Sequence, residues 1–216
     1  MGRLGLIVGS SLRGERLPAG DWELLQRHGE TAAYVLPHLI DHVANLRALA
    51  GAGCDRALAI GSVGGLRPEL RPGTIVCPDD FIALAAEPVT ALEGQAAHRV
   101  PGFDGEGRSE VLAAVSGSGG PVIDGGVYWQ AGGPRLETPA EIRLAAAHAD
   151  VIGMTMATEC VVAGELEIRY SGLCVVDNLA NGIAGSELTL AELEANRSAN
   201  RERLVAILAA ALPALA

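Results

Sequence analysis

The chain has 216 residues, 49% of them hydrophobic and 3% aromatic, and a formal charge of −10 at neutral pH. This length and apolar content suffice for one well-buried core, and no polar linker or composition break divides the chain, so a single domain over residues 1–216 is expected. The acidic balance repels phosphate backbones and the scarcity of rings leaves little surface on which bases could stack, which argues against a nucleic-acid partner.

In chain order, Leu4–Val8 reads as a buried strand that ends in the turn Gly9-Ser10-Ser11-Leu12. A helical pattern over Asp41–Ala52 precedes apolar strands at Ala57–Ile60 and Thr74–Cys77, the first running into the turn-rich stretch from Gly61 to Pro78. The segment from Glu87 to Arg108 is rich in glycine and turn residues and is the least structured. A helix over Ser109–Val115, a strand over Val122–Tyr128 and a helix over Pro139–Ala147 come next. A strand at Val151–Ile152, a helix at Glu159–Leu166 and a strand at Leu173–Val176 lead to a last helix over Leu190–Ala211, opened by a capping box of Thr189 and Glu192. This alternation predicts an α/β fold of one domain, with a mostly parallel, mixed central sheet flanked by helices.

Cys54, Cys77, Cys160 and Cys174 are widely spaced, with no C-x-x-C pair and no histidine at ligand spacing. Neither a disulfide framework nor a metal site is indicated, and a reducing cytoplasm is expected. No signal peptide is visible ahead of the first strand, and the apolar tail from Leu204 to Ala216 is too short for a bilayer and contains Pro213, so it reads as a docking helix and no membrane partner is expected.

The segment Gly132-Gly133-Pro134-Arg135-Leu136-Glu137-Thr138-Pro139-Ala140-Glu141 carries the first chemical signal. Thr138, Pro139 and Glu141 read as N-cap, first helical residue and back-bonding acid of a capping box, which leaves Glu137 on the loop for a ligand. Ser10, the Gly61-Ser62 pair, Glu137, the Met154-Thr155 pair and Asn178 each closely follow an apolar run, where the loops of an open α/β sheet gather ligands. Taken singly, most have plainer explanations: a strand-to-helix turn for Ser10, a surface ion pair for Arg27, core packing for Met154, a strand-end turn for Asn178, a dipole contact for Glu159.

In order, the Gly5–Leu12 turn, Arg27-His28-Gly29, the run from Gly61 to Pro78, the Gly132–Glu141 segment, Gly153-Met154-Thr155 with Glu159, and Val175-Val176-Asp177-Asn178 ahead of Gly182 resemble the trimeric purine nucleoside phosphorylase and methylthioadenosine phosphorylase family almost end to end. The resemblance implies a nucleoside phosphorylase-like fold, a homotrimer, and phosphorolysis of a purine nucleoside, with phosphate as co-substrate and no other cofactor. It implies phosphate contacts for Ser10, Arg27, His28, Gly61 and Ser62, and ribose contacts for Met154 and Thr155. Leu136 stands where the family usually packs an aromatic on the base, and Leu193 falls near the position that meets the 5′ substituent. His98 sits where methylthioadenosine enzymes extend a histidine into a neighbouring subunit. Asn178 takes the catalytic place beside purine N7, where an amide suits a 6-oxo group, and Glu137 the place that accepts from N1–H; both lean toward a 6-oxopurine.

Against that pattern, Ser11 replaces a glycine of the first turn, and the chain is short between residues 12 and 40, so no strand is read between Leu12 and Arg27. Purine nucleoside phosphorolysis, with a 5′-methylthio analogue as a possible substrate, leads. A methylthioadenosine phosphorylase, a hydrolytic nucleosidase and a noncatalytic purine nucleoside binder remain as alternatives.

Overall fold

The computed structural model describes residues 2–29, 33–183 and 189–215, and the side chains of all of these except 95, 190, 192 and 193. Its centre is three parallel strands, β1 (Arg3–Val8), β3 (Cys54–Gly65) and β9 (Arg169–Leu179), with β1 and β9 on either side of β3 in the registers Leu6↔Leu58 and Leu58↔Ser171. Alternate side chains along each strand enter opposite cores. Ile7, Ala57, Ala59, Val63, Cys174 and Val176 face one apolar cluster, while Leu6, Val8, Leu58, Ile60, Leu173 and Val175 face the other. Burial on both faces is why these strands read as continuous apolar runs.

Helices α1 (His42–Gly51) and α4 (Met156–Glu165) cover the first face through Leu46, Leu49, Cys160 and Val162. Helices α2 (Gly105–Gly117) and α5 (Leu190–Leu215) cover the second through Val111, Val115, Leu204, Leu208 and Leu212, so the C-terminal helix docks on the sheet as expected. No helix among the described residues is long and apolar enough to cross a membrane. A third cluster lies under α3 (Pro139–Ala146), where Ile142 and Ala145 meet Trp129 and Ile152.

The remaining strands are β2 (Trp22–Gln26), β4 (Ile75–Cys77), β5 (Asp80–Ile82), β6 (Val122–Asp124), β7 (Val127–Gln130) and β8 (Val151–Gly153). The nine-stranded sheet runs β5-β7-β8-β3-β9-β4-β6, with β1 on β3 and β2 outside β1. Among the described residues only the β3–β8 and β4–β9 pairs are antiparallel, in agreement with the mostly parallel sheet expected. The last residues of β3 turn from β1 to pair with β8 at Gly64↔Ile152, which brings the ends of β1, β3, β8 and β9 together.

Several boundaries depart from the sequence reading for local reasons. The run Val122–Tyr128 is two strands, split at Gly125 and Gly126, whose φ values of +89° and +122° break the ladder. A strand, β2, does lie between Leu12 and Arg27; its partly buried WELLQ sequence lacks the apolar run of the central strands because it forms an edge. Helix α4 begins at Met156, before Glu159, because its first amides are capped from β7. The Tyr128 hydroxyl accepts from Thr155 N at 3.1 Å and Met156 N at 3.3 Å, and Gln130 Oε1 accepts from Thr158 N at 3.0 Å. The box on α3 forms as read, with Thr138 Oγ1 accepting from Glu141 N and the Glu141 carboxylate from Thr138 N. In the box expected on α5, the Glu192 side chain lies outside the described residues.

A buried ion pair ties the edge strand to the helical layer. Arg27, next after β2, donates Nε and Nη2 to the two oxygens of Glu159 at 2.5 and 2.7 Å, and the Tyr170 hydroxyl donates to the same carboxylate at 2.6 Å. Burial disfavours the Glu159 charge, but Arg27, His42 and Tyr170 outweigh it and hold the carboxyl below its usual range. The depressed value makes its stabilisation present at neutral pH and lost as pH falls through that value. Glu159→Ala leaves the Arg27 charge buried alone and should lower the unfolding free energy by about 3–5 kcal/mol in urea titrations.

Candidate active site

The strand ends open onto a cavity of roughly 630 Å³, within the usual size for a small-molecule site. Ser10, Arg27, His28, Gly61, Ser62, Leu136, Glu137, Met154, Thr155 and Asn178 all line it. Among the predicted residues, His98 is exposed on a loop outside this wall, and the Leu193 side chain lies outside the described residues.

Asn178 reaches the cavity through a register shift. Val63 pairs with Val176 but Gly64 pairs with Asn178, so Asp177 is an extra residue in β9, a bulge of the kind that re-aims side chains beside functional sites. Asn178 Nδ2 donates to Leu179 O at 2.8 Å, and the residue is 8% exposed. Also on the wall, burial raises the Glu137 carboxyl above its usual value, and Arg135 gives its fork to Glu141, at 2.8 and 2.9 Å. Asn181, unassigned in the sequence reading, lines the wall here and donates to Glu137 O at 3.3 Å. Leu136 is 41% exposed on the rim. Met154 packs against the turn that precedes it, where a Cβ at Gly133 would stand 2.8 Å from the Met154 sulfur.

Another part of the lining is polar and rich in guanidinium groups. Beyond its pair with Glu159, Arg27 donates Nη1 to Ile60 O at 3.1 Å, so these contacts use three of its five donors and leave one hydrogen on each terminal nitrogen. Gly9 makes room for this side chain, since a Cβ there would lie 2.7 Å from Arg27 Nη1. His28 donates Nδ1–H to Val35 O at 2.8 Å and turns Nε2 toward the Tyr34 hydroxyl at 3.4 Å, with the two rings stacked. Burial lowers its pKa to about 4, so it is a neutral imidazole at physiological pH.

Arg13, Tyr34 and Arg197 also line the wall and carry no sequence assignment. Arg13 lies over the Tyr34 ring and donates to Ala33 O at 3.2 Å. Burial raises the Tyr34 phenol, while Arg197, Arg13, Arg27 and a hydrogen bond with Ser10 act in the opposite direction, and all of these groups line the cavity wall. Asp177, fully buried behind this wall, accepts from the Ser62 hydroxyl, from Ser11 Oγ at 3.2 Å and from Asn200 Nδ2 at 3.1 Å. The motif Val-Val-Asp-Asn marked Asp177 but drew attention only to its neighbour; Arg197, eight residues beyond Thr189 on α5, had no local signal. Among the described residues, no cluster of His, Cys, Asp and Glu could hold a metal ion.

Comparison with known proteins gives the same picture. Residues 13–213 match the family model of the phosphorylase superfamily. A probable 6-oxopurine nucleoside phosphorylase of Archaeoglobus fulgidus is 40% identical over 180 residues, covering 82% of this chain and 73% of that one. A probable S-methyl-5′-thioinosine phosphorylase of Methanothermobacter thermautotrophicus is 38% identical over 178 residues, covering 82% of this chain but 62% of the relative. The fold matches methylthioadenosine phosphorylase from Schistosoma mansoni in complex with adenine, with a TM-score of 0.83 over 99% of this chain and 91% of that one at 18% identity. The chain therefore belongs to the phosphorylase superfamily, within its purine nucleoside phosphorylase and methylthioadenosine phosphorylase family.

Proposed function

We propose that this cavity binds a purine nucleoside with inorganic phosphate and that the protein catalyses phosphorolysis to free base and ribose 1-phosphate. The observation that carries this reading is one cavity lined by two chemically distinct sets of groups: Asn178 and Glu137, which suit a purine, and Ser10 with Arg13, Arg27 and Arg197, which suit an anion. Cleavage leaves cationic character on the ribose and sends the electrons of the C1′–N9 bond to the base, which takes up at N7 the proton that hydrogen phosphate loses on becoming the ribose ester. An anion below the sugar stabilises the first charge and supplies the oxygen that bonds to C1′, and hydrogen bonds to the base stabilise the second. Ser10, Arg27 and the Gly61-Ser62 segment bind the phosphate, the second N–H groups of Arg27 being available for it. His28, neutral and engaged on both nitrogens, positions Tyr34 and lends no charge. Met154 and Thr155 hold the ribose, and no cofactor besides the co-substrate takes part.

The base is a 6-oxopurine. Asn178 offers a carbonyl oxygen and an N–H to N7 and O6, and Glu137 accepts from the N1–H that hypoxanthine and guanine possess and neutral adenine lacks. The relatives named for 6-oxopurine nucleosides and for methylthioinosine support this choice and favour either a hydroxyl or a methylthio group at the ribose 5′ position. The protein works as a homotrimer in the cytoplasm. Support comes from its free, buried cysteines and from the loop bearing His98, whose flanking Leu84 and Val100 are 84% and 98% exposed and suited to cover by a neighbouring subunit.

Phosphate should be required: product analysis with inosine should give ribose 1-phosphate with phosphate present and essentially no cleavage without it, whereas equal rates would identify a nucleosidase. Inosine and methylthioinosine should exceed their adenine counterparts in kcat/KM by roughly one to two orders of magnitude, the consequence of about 1–3 kcal/mol for a mismatched buried polar group, and Asn178→Asp should narrow that gap.

Because burial raises the Glu137 pKa, its accepting carboxylate form is lost at a higher pH than for an ordinary glutamate. The kcat/KM for inosine should therefore fall on acidification through that raised value, and Glu137→Gln should flatten this acid limb while lowering the plateau, as read from pH profiles of both proteins.

A further inference from the structure

Arg197 projects from α5 into the cavity wall, yet its bonding is incomplete. Its Nε is buried without a hydrogen-bond partner and lies 3.6 Å from Asp177 Oδ2, beyond the length of an N–H···O bond. Its Nη1 meets Glu194 one turn back at 3.0 Å, but that carboxylate is largely exposed, where an ion pair contributes little. Asp177 does not depend on Arg197 for hydrogen bonds, because Ser11, Ser62 and Asn200 supply them. The guanidinium is thus held beside a buried carboxylate by charge alone, with donors to spare at the cavity.

Two of the groups first expected to meet the anion are meanwhile partly committed elsewhere. Arg27 has its fork on Glu159, and Ser62 gives its proton to Asp177. A phosphate dianion entering this part of the cavity would also face the Asp177 charge across the Ser62 side chain. Some cation must offset that repulsion, and Arg197 is the one in contact with Asp177.

We propose that Arg197 is a phosphate-binding residue of this site, delivered by the C-terminal helix, which neutralises Asp177 in the empty cavity and donates Nε–H and terminal N–H groups to phosphate when it binds. This rests on the phosphorolysis reading above and adds to it a ligand from an element otherwise concerned with docking. It makes the seating of α5 on the sheet a condition for phosphate affinity.

The test uses Arg197→Gln and Arg197→Lys in the full chain, with inorganic phosphate as the probe, read by phosphate KM, inosine KM and the rise in Tm that phosphate alone produces. Loss of a charged hydrogen bond should raise the phosphate KM of Arg197→Gln by about ten- to a hundredfold and abolish its phosphate-induced Tm rise, with inosine KM changed less than about twofold. Arg197→Lys, which keeps the charge but not the fork, should recover part of both. An unchanged phosphate KM in Arg197→Gln would overturn the proposal, as would equal rises in both KM values with a lower Tm in both variants, the mark of a merely structural residue. If the unmodified protein cleaves inosine without phosphate, the phosphorolysis reading fails first; if it needs phosphate and Arg197→Gln does not weaken it, only this inference falls.

Discussion

The ion pair of Arg27 with Glu159 is the constraint on which the cavity depends. Arg27 directly follows the edge strand β2, Glu159 lies in the first turn of α4, and Tyr170 adds a hydroxyl from β9, so one buried carboxylate ties these three elements together beneath the site. Two buried charges are stable there because their geometry is bidentate and the remaining acceptor capacity is used, the circumstances in which attraction offsets desolvation. The same contact fixes where the guanidinium edge meets the cavity. It also places His28 against Val35 and Tyr34, and so shapes the wall on that side.

A second constraint lies in β9. Without the extra residue, the period-two alternation that buries Cys174 and Val176 on one face and Leu173 and Val175 on the other would continue unbroken to the strand end. The shift after Val63 lets Asp177 turn to Ser11 and Ser62 while Asn178 still reaches the cavity. Two adjacent polar residues are thus buried in different surroundings, Asp177 among the donors Ser11, Ser62 and Asn200 and Asn178 on the cavity wall. The bulge is what lets both be accommodated side by side.

How much of this could be read from the sequence follows from how local each signal is. The central strands announce themselves because burial on both faces demands uninterrupted apolar runs, and the start of α3 is visible because its capping box lies within four residues, Thr138 to Glu141. The start of α4 is hidden because its caps come from Tyr128 and Gln130 on another strand. β2 is hidden because an edge strand such as WELLQ has no need of a hydrophobic run. Within the site, motif residues at strand ends converge on one cavity, as the family resemblance implies. That Arg27 turns its fork to Glu159, and that Arg197 arrives from α5, are facts of tertiary packing, and nothing in the spacing of either arginine encodes its partner.

The remaining question is how so acidic a chain could attract a phosphate dianion. A formal charge of −10 spread over the surface acts through solvent with a screening length of about 8 Å at physiological ionic strength, so it slows the approach of an anion more than it weakens a buried contact. Inside the cavity the balance is set by groups within a few ångströms, and there three arginines gather near Ser10 and Tyr34 against the carboxylates of Glu159, Asp177 and Glu194. Arg27 holds Glu159 while Arg197 serves both Asp177 and Glu194, and the buried pairs are unequal in quality: tight and bidentate for Glu159, long and incomplete for Asp177. The loosely held member is the one that can turn toward an arriving anion at little loss. On the phosphate-binding proposal for Arg197, affinity for phosphate would come from the weaker of the two buried pairs, while the stronger one keeps the wall in place.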